Sequence, residues 1–261
     1  MGVIIIKSKN LFAETFANHT LRGPFIILSE VDSTNNYAMA KLHVSVIEPG
    51  SCFQAIDQTA GKGSRGRSWT VNKGENITMS VCLRPHHPEF PFLLSAAMAL
   101  GCYDFIKESV AAKVSVKWPN DVYIGDRKAA GILIENLFRG GSWEWAVVGI
   151  GVNVNQVEFG ELRNKAISLR SVTGEGQDVT GMGKLLHRFL LARWEWMKGK
   201  TADEIMGAYN SVLYKKDERV RLKKASAVFS TEIKYVSATG ELVTLDTMER
   251  RFNSGEVEFL S

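Results

Sequence analysis

Residues 114–154 are the part of this sequence that most limits the possible folds. Strand-like segments at 114–118, 122–124, 129–138 and 143–154 follow one another with only short breaks. Two of the breaks, Gly125-Asp126 and Gly140-Gly141, are two-residue hairpin signals. Because a hairpin pairs neighbouring strands antiparallel, the middle of the chain is predicted to form a mixed or antiparallel sheet and not a regular β-α-β series.

The segments on either side predict helices and a β-rich tail. Helices are predicted at 91–110, 185–197 and 202–213, with a shorter one after Asp32-Ser33-Thr34. Further strands are predicted at 25–28, 51–56 and 77–83, the last with one buried face, and at 219–222, 229–236, 241–245 and 256–260. We therefore expect an α+β fold. A sheet with helices packed on one face forms a domain of residues 1–214, and a small β-barrel follows in residues 215–261.

The overall composition is that of an ordinary globular protein. Hydrophobic residues make up 45% and charged residues 23%, which excludes a disordered tail. The net charge of +4 is too small to indicate a dedicated nucleic-acid-binding protein. Three widely spaced cysteines predict reduced thiols and a cytoplasmic protein, and no apolar run is long enough to predict a membrane span. The histidines lack paired-ligand spacing, so no metal ligand is assigned; His86-His87, between two prolines, predicts a solvated loop.

A glycine-rich basic loop is the first motif that could carry chemistry. Residues 61–67 read Gly-Lys-Gly-Ser-Arg-Gly-Arg, which formally contains the dinucleotide-binding pattern. That pattern needs a helix directly after it, and Ser-Trp-Thr-Val-Asn follows here instead. Glycines let backbone N–H groups approach an anion and the three cations neutralise it. From the residues alone, anion binding and a solvated basic turn are about equally expected.

Three other motifs are weaker when each is taken alone. Lys117-Trp118-Pro119-Asn120-Asp121 is a tight turn after a strand, and Lys128 begins the next strand. Residues 149–155 read Gly-Ile-Gly-Val-Asn-Val-Asn, whose small residues allow close backbone approach. Ser33-Thr34-Asn35, by itself, is only a helix cap.

In this order, the motifs resemble those of the biotin–protein ligase family over roughly residues 25–260. The resemblance lies in residues 30–35 (Glu-Val-Asp-Ser-Thr-Asn), the whole of 57–69, Lys117 to Asp121, residues 127–135 (Arg-Lys-Ala-Ala-Gly-Ile-Leu-Ile-Glu) and Gly149 to Asn153. The combination of Trp-Pro-Asn-Asp with an upstream glycine-rich basic loop is highly specific, whereas no single piece is.

The resemblance implies a fold, a reaction and partners. The fold is a catalytic domain like that of class II synthetases, followed by an SH3-like β-barrel. The reaction joins biotin to ATP with Mg²⁺, giving biotinyl-5′-AMP and pyrophosphate. The biotinyl group then passes to a specific lysine of a biotin carboxyl carrier protein domain.

The resemblance also implies roles for individual residues, carried over by position. The biotin-binding set is Ser33, Thr34, Asn35, Gln58, Lys62, Gly63, Ser64, Lys128 and Gly131. The set for ATP and the adenylate is Lys62, Arg65, Arg67, Trp69, Lys117, Asn120 and Asn153. Lys128, Lys117 and Arg65 are the expected catalytic residues, because fixed cations cancel the repulsion between a carboxylate and a polyphosphate. Trp69 is expected to pack on adenine.

The resemblance also leads to expectations about domain organisation and oligomeric state. Some family members begin with a winged-helix DNA-binding domain, and the roughly 24 residues before the first predicted strand are too few for one. We therefore expect a monofunctional ligase that binds neither operator DNA nor a membrane. Family members often form homodimers through the sheet, and the strand at 77–83 is a candidate sheet edge.

Two alternatives remain open at this point. A lipoate or octanoate ligase shares the catalytic fold and also acylates a carrier lysine. A non-catalytic biotin or RNA binder could retain the fold without the reaction, because function belongs to the site and not to the fold. Retention of Lys62, Arg65, Lys117 and Lys128 together argues against the second alternative.

Ser64 generates the first prediction, because many family members have arginine at this position. An added guanidinium would contribute a charge-assisted hydrogen bond to the phosphate of the adenylate. We expect Ser64→Arg to slow the dissociation of biotinyl-5′-AMP, measured in a release assay. An unchanged dissociation rate would contradict this.

Overall fold

The computed structural model describes residues 23–260 of the 261-residue chain. The expectation about a DNA-binding domain rests on residues before the first strand, of which 1–22 lie outside the described part. No helix among residues 23–260 is both long enough and apolar enough to cross a membrane.

A seven-stranded sheet forms the centre of the molecule. Its strands are β1 (Phe25–Val31), β2 (Cys52–Gln58), β3 (Ile77–Leu83), β4 (Val114–Lys117), β5 (Asp121–Ile124), β6 (Arg127–Arg139) and β7 (Ser142–Val152). They are ordered β1-β2-β3-β7-β6-β5-β4. The β1–β2 pair is parallel and every other pair is antiparallel. The predicted mixed sheet is therefore confirmed.

Glycines set the two predicted hairpins. Gly125 has φ of 58° in the turn between β5 and β6, and Gly140 and Gly141 have φ of 57° and 82° between β6 and β7. Only glycine adopts these left-handed conformations without steric cost. The second hairpin pairs β6 with β7 from Ala130–Val152 to Arg139–Ser142, and this long ribbon forms the floor of the candidate site described below.

The expectations for residues 77–83 are wrong in two respects. β3 lies between β2 and β7, so it is not a sheet edge through which two copies could pair. All seven of its residues are buried, so the strand has two buried faces. The reason is that Thr78, Ser80 and Cys82 are small enough to be covered by a helix and by the polar side chains packed against them.

The helices cover both faces of this sheet. They are α1 (Thr34–Val44), α2 (Phe92–Ser109), α3 (Leu169–Thr173), α4 (Val179–Met197) and α5 (Ala202–Ser211). Apolar residues of α2, α4 and α5 form the main core together with one face of the sheet, as expected. α1 packs on the other face, where Ala38 and Leu42 meet Phe53, Cys82 and Trp145.

The helix α4 begins six residues earlier than its apolar periodicity predicts. Asp178 is its N-cap residue, and its side chain accepts a hydrogen bond from the Thr180 N–H. This capping bond satisfies an otherwise unpaired backbone donor, which allows the helix to start at Val179, before the amphipathic stretch.

A second, five-stranded antiparallel sheet forms the C-terminal part. Its strands are β8 (Arg219–Lys224), β9 (Ala227–Val236), β10 (Leu242–Leu245), β11 (Glu249–Phe252) and β12 (Glu258–Leu260), ordered β11-β10-β9-β8-β12. The strand β11 was not predicted from the sequence. No pairing closes this sheet into a barrel among residues 23–260, and the 214/215 domain boundary stays a prediction. Trp118 joins the two sheets through a hydrogen bond from its indole Nε1 to the Gly240 carbonyl, 2.9 Å long.

The histidine loop after β3 is packed rather than solvated. The His86 ring stacks on Trp194 with centroids 4.9 Å apart, and His87 Nε2 lies 3.0 Å from the Met197 carbonyl. Burial lowers the pKa of His86 below its ordinary value of 6.5. The apolar indole of α4 accounts for the difference from the sequence-based expectation.

This stack predicts a pH dependence of stability. Because the folded-state pKa of His86 is lowered, its contribution to stability is present above pH 6.5 and is lost as the pH falls below that value. We expect His86→Phe, which keeps an aromatic ring on Trp194, to reduce the pH dependence of the unfolding free energy. The reduction is at most about 1.4 kcal/mol per pH unit. Urea unfolding between pH 7.5 and 5 measures it, and an unchanged slope would refute the assignment.

Candidate active site

A cavity opens over the β6–β7 ribbon, between α1 and the basic loop. It contains about 490 Å³ of space not filled by protein atoms, part of which is open to solvent. The lining residues are Ser33, Thr34, Asn35, Gln58, Lys62, Gly63, Ser64, Trp69, Thr78, Asn120, Asp121, Lys128, Gly131, Ile132, Leu133, Gly149, Ile150 and Gly151. The structure therefore brings all nine predicted biotin-binding residues to one cavity.

One end of the cavity is a chain of polar side chains at the start of α1. The Gln58 Oε1 atom accepts a 2.8 Å hydrogen bond from the Thr34 N–H and lies 3.1 Å from the Thr34 Oγ1 atom. The Ser80 Oγ atom lies 2.7 Å from Thr34 Oγ1 and 2.6 Å from Asn35 Oδ1. Thr34, Asn35 and Ser80 are buried, so this end presents fixed polar atoms rather than mobile ones.

The amide of Asn35 is held on its other side as well. Its Nδ2 atom donates to the Glu135 carboxylate over 2.7 Å and to the Leu133 carbonyl over 3.3 Å. A Cβ atom at Gly149 would lie 2.3 Å from Asn35 Oδ1, so only glycine leaves room for this amide. Ser33 occupies the N-cap position of α1, yet its side chain makes no capping hydrogen bond, which leaves its hydroxyl available to the cavity.

The other end of the cavity contains the predicted catalytic lysine. The Lys128 Nζ atom lies 2.6 Å from Asp121 Oδ1 and 5.4 Å from the centre of the Trp69 ring. The Trp69 indole packs directly against the backbone of two glycines. A Cβ atom at Gly151 would lie 2.2 Å from the indole, and a Cβ atom at Gly131 would lie 3.2 Å from it. Glycines on neighbouring strands therefore make the seat for the indole.

The basic loop is held in place by contacts at both of its sides. Lys62 donates to Asn36 Oδ1 and lies 3.9 Å from the Glu135 carboxylate. Arg65, whose φ of 58° is left-handed, donates over 3.2 Å to the hydroxyl of Ser254, in the turn between β11 and β12. Arg67 folds back onto Ser64, with its Nη2 atom 3.2 Å from the serine hydroxyl. Lys62 and Ser64 line the cavity, whereas Arg65 and Arg67 do not.

Lys117 lies next to the cavity rather than in its lining. Its Nζ atom is 3.1 Å from the Tyr123 hydroxyl, 4.7 Å from the centre of the Tyr123 ring and 4.8 Å from that of Phe259 in β12. Burial among these rings lowers the pKa of Lys117, and the nearby charges of Asp121 and Lys128 act on it in opposite directions. The predicted catalytic role of Lys117 is therefore not visible in this arrangement and stays a prediction.

The two predicted asparagines differ in their position. Asn120 lines the cavity, and its Nδ2 atom hydrogen-bonds to the Ile132 carbonyl. Asn153 is buried outside the lining and donates to the Lys128 and Ile167 carbonyls over 3.3 and 3.2 Å. Its amide holds the strand that carries Lys128, and its expected role at the nucleotide stays a prediction.

Several residues of the site were not predicted from the sequence. Asp121 belongs to the Trp-Pro-Asn-Asp motif but was not singled out, although an acid beside a cation-rich motif could have been. Glu135 lies inside the predicted strand at 129–138 and closes the motif of residues 127–135, but no role was assigned to it. Thr78 and Ser80 were interpreted only as alternating residues of a strand with one buried face. Thr78 lines the cavity, and Ser80 is buried behind it against Thr34 and Asn35.

Comparison with known proteins identifies the family of this chain. Residues 28–153 match the model of the Biotin/lipoate A/B protein ligase family. The chain is 35% identical over 177 residues to the biotin--[acetyl-CoA-carboxylase] ligase of Paracoccus denitrificans, of which the match covers 72%. The chain belongs to this family. It is also 33% identical over 176 residues to the bifunctional ligase/repressor BirA of Escherichia coli, and this match covers 54% of that protein. The chain thus spans about half the length of several curated relatives that it matches.

Solved structures of biotin–protein ligases have the same fold. The Aquifex aeolicus enzyme in complex with biotin and ATP superimposes with a TM-score of 0.76 at 28% identity, over 90% of this chain and 98% of that one. The expected fold class and the resemblance to the biotin–protein ligase family are therefore confirmed.

The glycine seat under Trp69 generates a prediction. In Gly151→Ala the added Cβ atom would overlap the indole, so we expect Trp69 to leave its seat and become exposed to water. The fluorescence of Trp69, obtained as the difference between each protein and its Trp69→Phe counterpart, should shift to longer wavelength. Gly207→Ala is the control, because nothing lies within 4 Å of a Cβ atom there. If both variants keep the wild-type spectrum, the seat does not determine the position of the indole.

Proposed function

We propose that this protein is an ATP-dependent ligase that converts biotin to biotinyl-5′-AMP and transfers it to a lysine of a biotin carboxyl carrier protein domain. The observation that carries the proposal is a single cavity with a neutral hydrogen-bonding end at Thr34 and Gln58 and a cationic end at Lys128. Biotin has matching ends, a urea ring and a carboxylate. Family membership and the named relatives support the same activity.

The neutral end suits a urea ring. A urea of this kind offers two N–H donors and one carbonyl acceptor, so hydroxyl and amide groups are its natural partners. Thr34 Oγ1 and Gln58 Oε1 are acceptors at the cavity, while the Ser33 hydroxyl can donate to the urea carbonyl. Ile132, Leu133 and Ile150 supply apolar surface between the two ends.

The cationic end suits the first chemical step. One oxygen of the biotin carboxylate attacks the α-phosphorus of ATP, the bond from that phosphorus to the bridging oxygen breaks, and pyrophosphate leaves with the electron pair. Both reactants are anions, and fixed cations in a partly enclosed cavity stabilise their approach. Lys128 lines the cavity and is the cation that we assign to this role, with the Trp69 ring as the surface on which adenine stacks.

In the second step, the amine of the carrier lysine attacks the carbonyl carbon of biotinyl-5′-AMP. The carbon–oxygen bond to phosphate breaks, AMP leaves and the amine loses a proton, which gives an amide. Water competes for the same carbonyl, so the site must exclude it. The basic loop of residues 61–67 borders the cavity and is the segment placed to cover the intermediate.

Magnesium is proposed as a companion of the nucleotide rather than as a resident metal. Among the described residues, no group of three or more His, Cys, Asp or Glu side chains is arranged to hold a metal ion. One carboxylate, Asp121, lines the cavity, and Mg²⁺ in nucleotide sites is often held by one or two carboxylates with phosphates and water. When bound, Mg²⁺ would supply neutralisation of phosphate charge. Cytoplasmic location, the absence of operator binding and a homodimer stay predictions.

The proposal predicts the effect of removing the Lys128 ammonium. We expect Lys128→Ala to lower biotin-dependent exchange of pyrophosphate into ATP by at least about 100-fold, the usual cost of one preorganised electrostatic group. Mass measurement of a carrier-domain lysine after incubation with biotin and ATP tests the second step. Lys165→Ala, on the neighbouring loop and outside the cavity lining, is the matched control.

The same assay separates the alternatives. Exchange that depends on lipoate or octanoate and not on biotin would favour the lipoate-type ligase. Binding of biotin by the wild-type protein without any exchange would favour a non-catalytic binder. Either result would overturn the proposed function.

A further inference from the structure

The Trp69 indole has no hydrogen bond of its own in the glycine seat. Its Nε1 atom is buried, and no described residue accepts a hydrogen bond from it. Packing against Gly131 and Gly151 is non-directional, so it does not fix the ring by itself. The position of the ring therefore depends on how the backbone on either side of Trp69 is anchored.

One side of Trp69 is anchored within its own loop. The Trp69 N–H donates to the Gly61 carbonyl over 2.9 Å, and Gly61 begins the basic loop. The other side is the segment of residues 70–76, which leads to β3. Residues 72–74 are exposed, whereas Asn76 is only 3% exposed. An anchor for the indole therefore has to reach this segment from another part of the chain.

Two buried amides supply that anchor. The Gln156 Oε1 atom accepts hydrogen bonds from Asn76 Nδ2 over 2.7 Å and from the Asn72 N–H over 3.3 Å. Gln156 Nε2 donates to the Glu158 carbonyl over 2.9 Å, and Asn76 Oδ1 accepts from the Val154 N–H over 2.9 Å. Rotating either amide by 180° would set donor against donor and acceptor against acceptor, so both orientations are fixed.

The chain around Gln156 is the rigid side of this joint. Gln156 is only 8% exposed and follows β7, which lies between β3 and β6 in the central sheet. The carbonyls of Asn153 and Val154 accept hydrogen bonds from the N–H groups of Leu169 and Arg170 in α3, over 3.0 and 2.9 Å. Gln156 therefore connects a mostly exposed segment to the centre of the molecule.

The contact with Gln156 is also the one nearest to the indole. Two backbone hydrogen bonds hold the same segment to other parts of the chain, at Gly74 and Glu75. The bond to Gln156 lies closer to Trp69 in the sequence, because it is made by Asn72. Gln156 therefore controls the part of the segment that borders the ring.

We propose that Gln156 is a positioning residue for ATP, because it anchors residues 70–76 and so keeps the Trp69 ring at the cationic end of the cavity. Gln156 does not line the cavity, so it acts only through Trp69 and its loop. It should affect the use of ATP far more than that of biotin, whose urea end is assigned to Thr34 and Gln58. This inference rests on the proposed function, in which adenine stacks on Trp69.

Replacing Gln156 by methionine tests this role. Gln156→Met keeps the length of the side chain and removes all of its hydrogen bonds. In pyrophosphate exchange we expect the KM for ATP to rise about tenfold and the KM for biotin to stay within about twofold of wild type, since buried donors lose their acceptor at the nucleotide side only. The fluorescence of Trp69, obtained as the difference from the Trp69→Phe counterpart, should shift to longer wavelength.

A second background shows whether the effect passes through the indole. If Gln156 acts by holding the ring, Gln156→Met should raise the KM for ATP no further in a Trp69→Ala protein, where the ring is missing. A general loosening of the fold would raise it by the same factor in both backgrounds, because independent effects are additive.

A matched control makes the same substitution elsewhere. Gln54 is also buried, and its amide lies against α4, with Nε2 3.4 Å from the Val179 carbonyl. Gln54→Met should leave both the KM for ATP and the fluorescence of Trp69 unchanged. Gln156→Ala removes the same contacts as Gln156→Met and replaces it if that variant does not fold.

The outcomes distinguish the inference from the function beneath it. If the wild-type protein shows no biotin-dependent exchange, the proposed function fails, and the fluorescence alone decides whether Gln156 holds the indole. If the protein is active and Gln156→Met keeps the wild-type KM for ATP or the wild-type fluorescence, the function stands and the role of Gln156 is wrong. An equal rise in the KM for ATP in the Trp69→Ala background, or in Gln54→Met, would likewise overturn it.

Discussion

The candidate site depends on the absence of side chains at three positions of the β6–β7 ribbon. Gly149 leaves room for the Asn35 amide, Gly151 for the Trp69 indole, and Gly131 for both Trp69 and the Lys128 side chain. A Cβ atom at any of these positions would lie 2.2–3.2 Å from its neighbour, closer than packed atoms approach. Asn35, Trp69 and Lys128 therefore all pack on the same ribbon, and the β-hairpin register keeps the three glycines in place.

The cations around this floor are each held by a different partner. Lys128 pairs with Asp121, Lys62 with Asn36 and Glu135, and Arg65 with Ser254 in the turn between β11 and β12. Lys117 lies among aromatic rings, one of them from the C-terminal sheet. Like charges brought together would repel strongly in a partly buried site. Neutral and acidic partners offset this repulsion. The C-terminal part of the chain therefore contacts the site in two ways. Ser254 accepts a hydrogen bond from Arg65 of the basic loop, and the Phe259 ring packs against Lys117 beside the cavity.

Prediction from sequence succeeded where local chemistry decides the structure. Gly125 and Gly140-Gly141 predicted both hairpins, and apolar segments predicted α2 and α5. These predictions succeeded because turn geometry and the burial of a helix face depend on residues that are close together in the sequence. For residues 77–83 the strand itself was predicted correctly, but its place in the sheet and its burial were not, since both depend on distant partners. Prediction also failed for His86, whose environment is set by Trp194, more than a hundred residues away.

For the site, the sequence by itself determined which motifs occur and, through the family resemblance, that Thr34, Gln58 and Lys128 would meet at one cavity. Only the tertiary structure decided that Asp121 lines the same cavity and that Glu135 and Ser80 hold the Asn35 amide. It also decided that Lys117 lies in an aromatic environment and that Asn153 supports a strand. The physical reason is that hydrogen-bond direction and burial depend on contacts between residues far apart in the chain. The Ser80–Asn35 contact spans 45 residues and the Asn35–Glu135 contact 100. A motif fixes the type of each side chain, and the fold fixes which of its atoms remain free for a ligand.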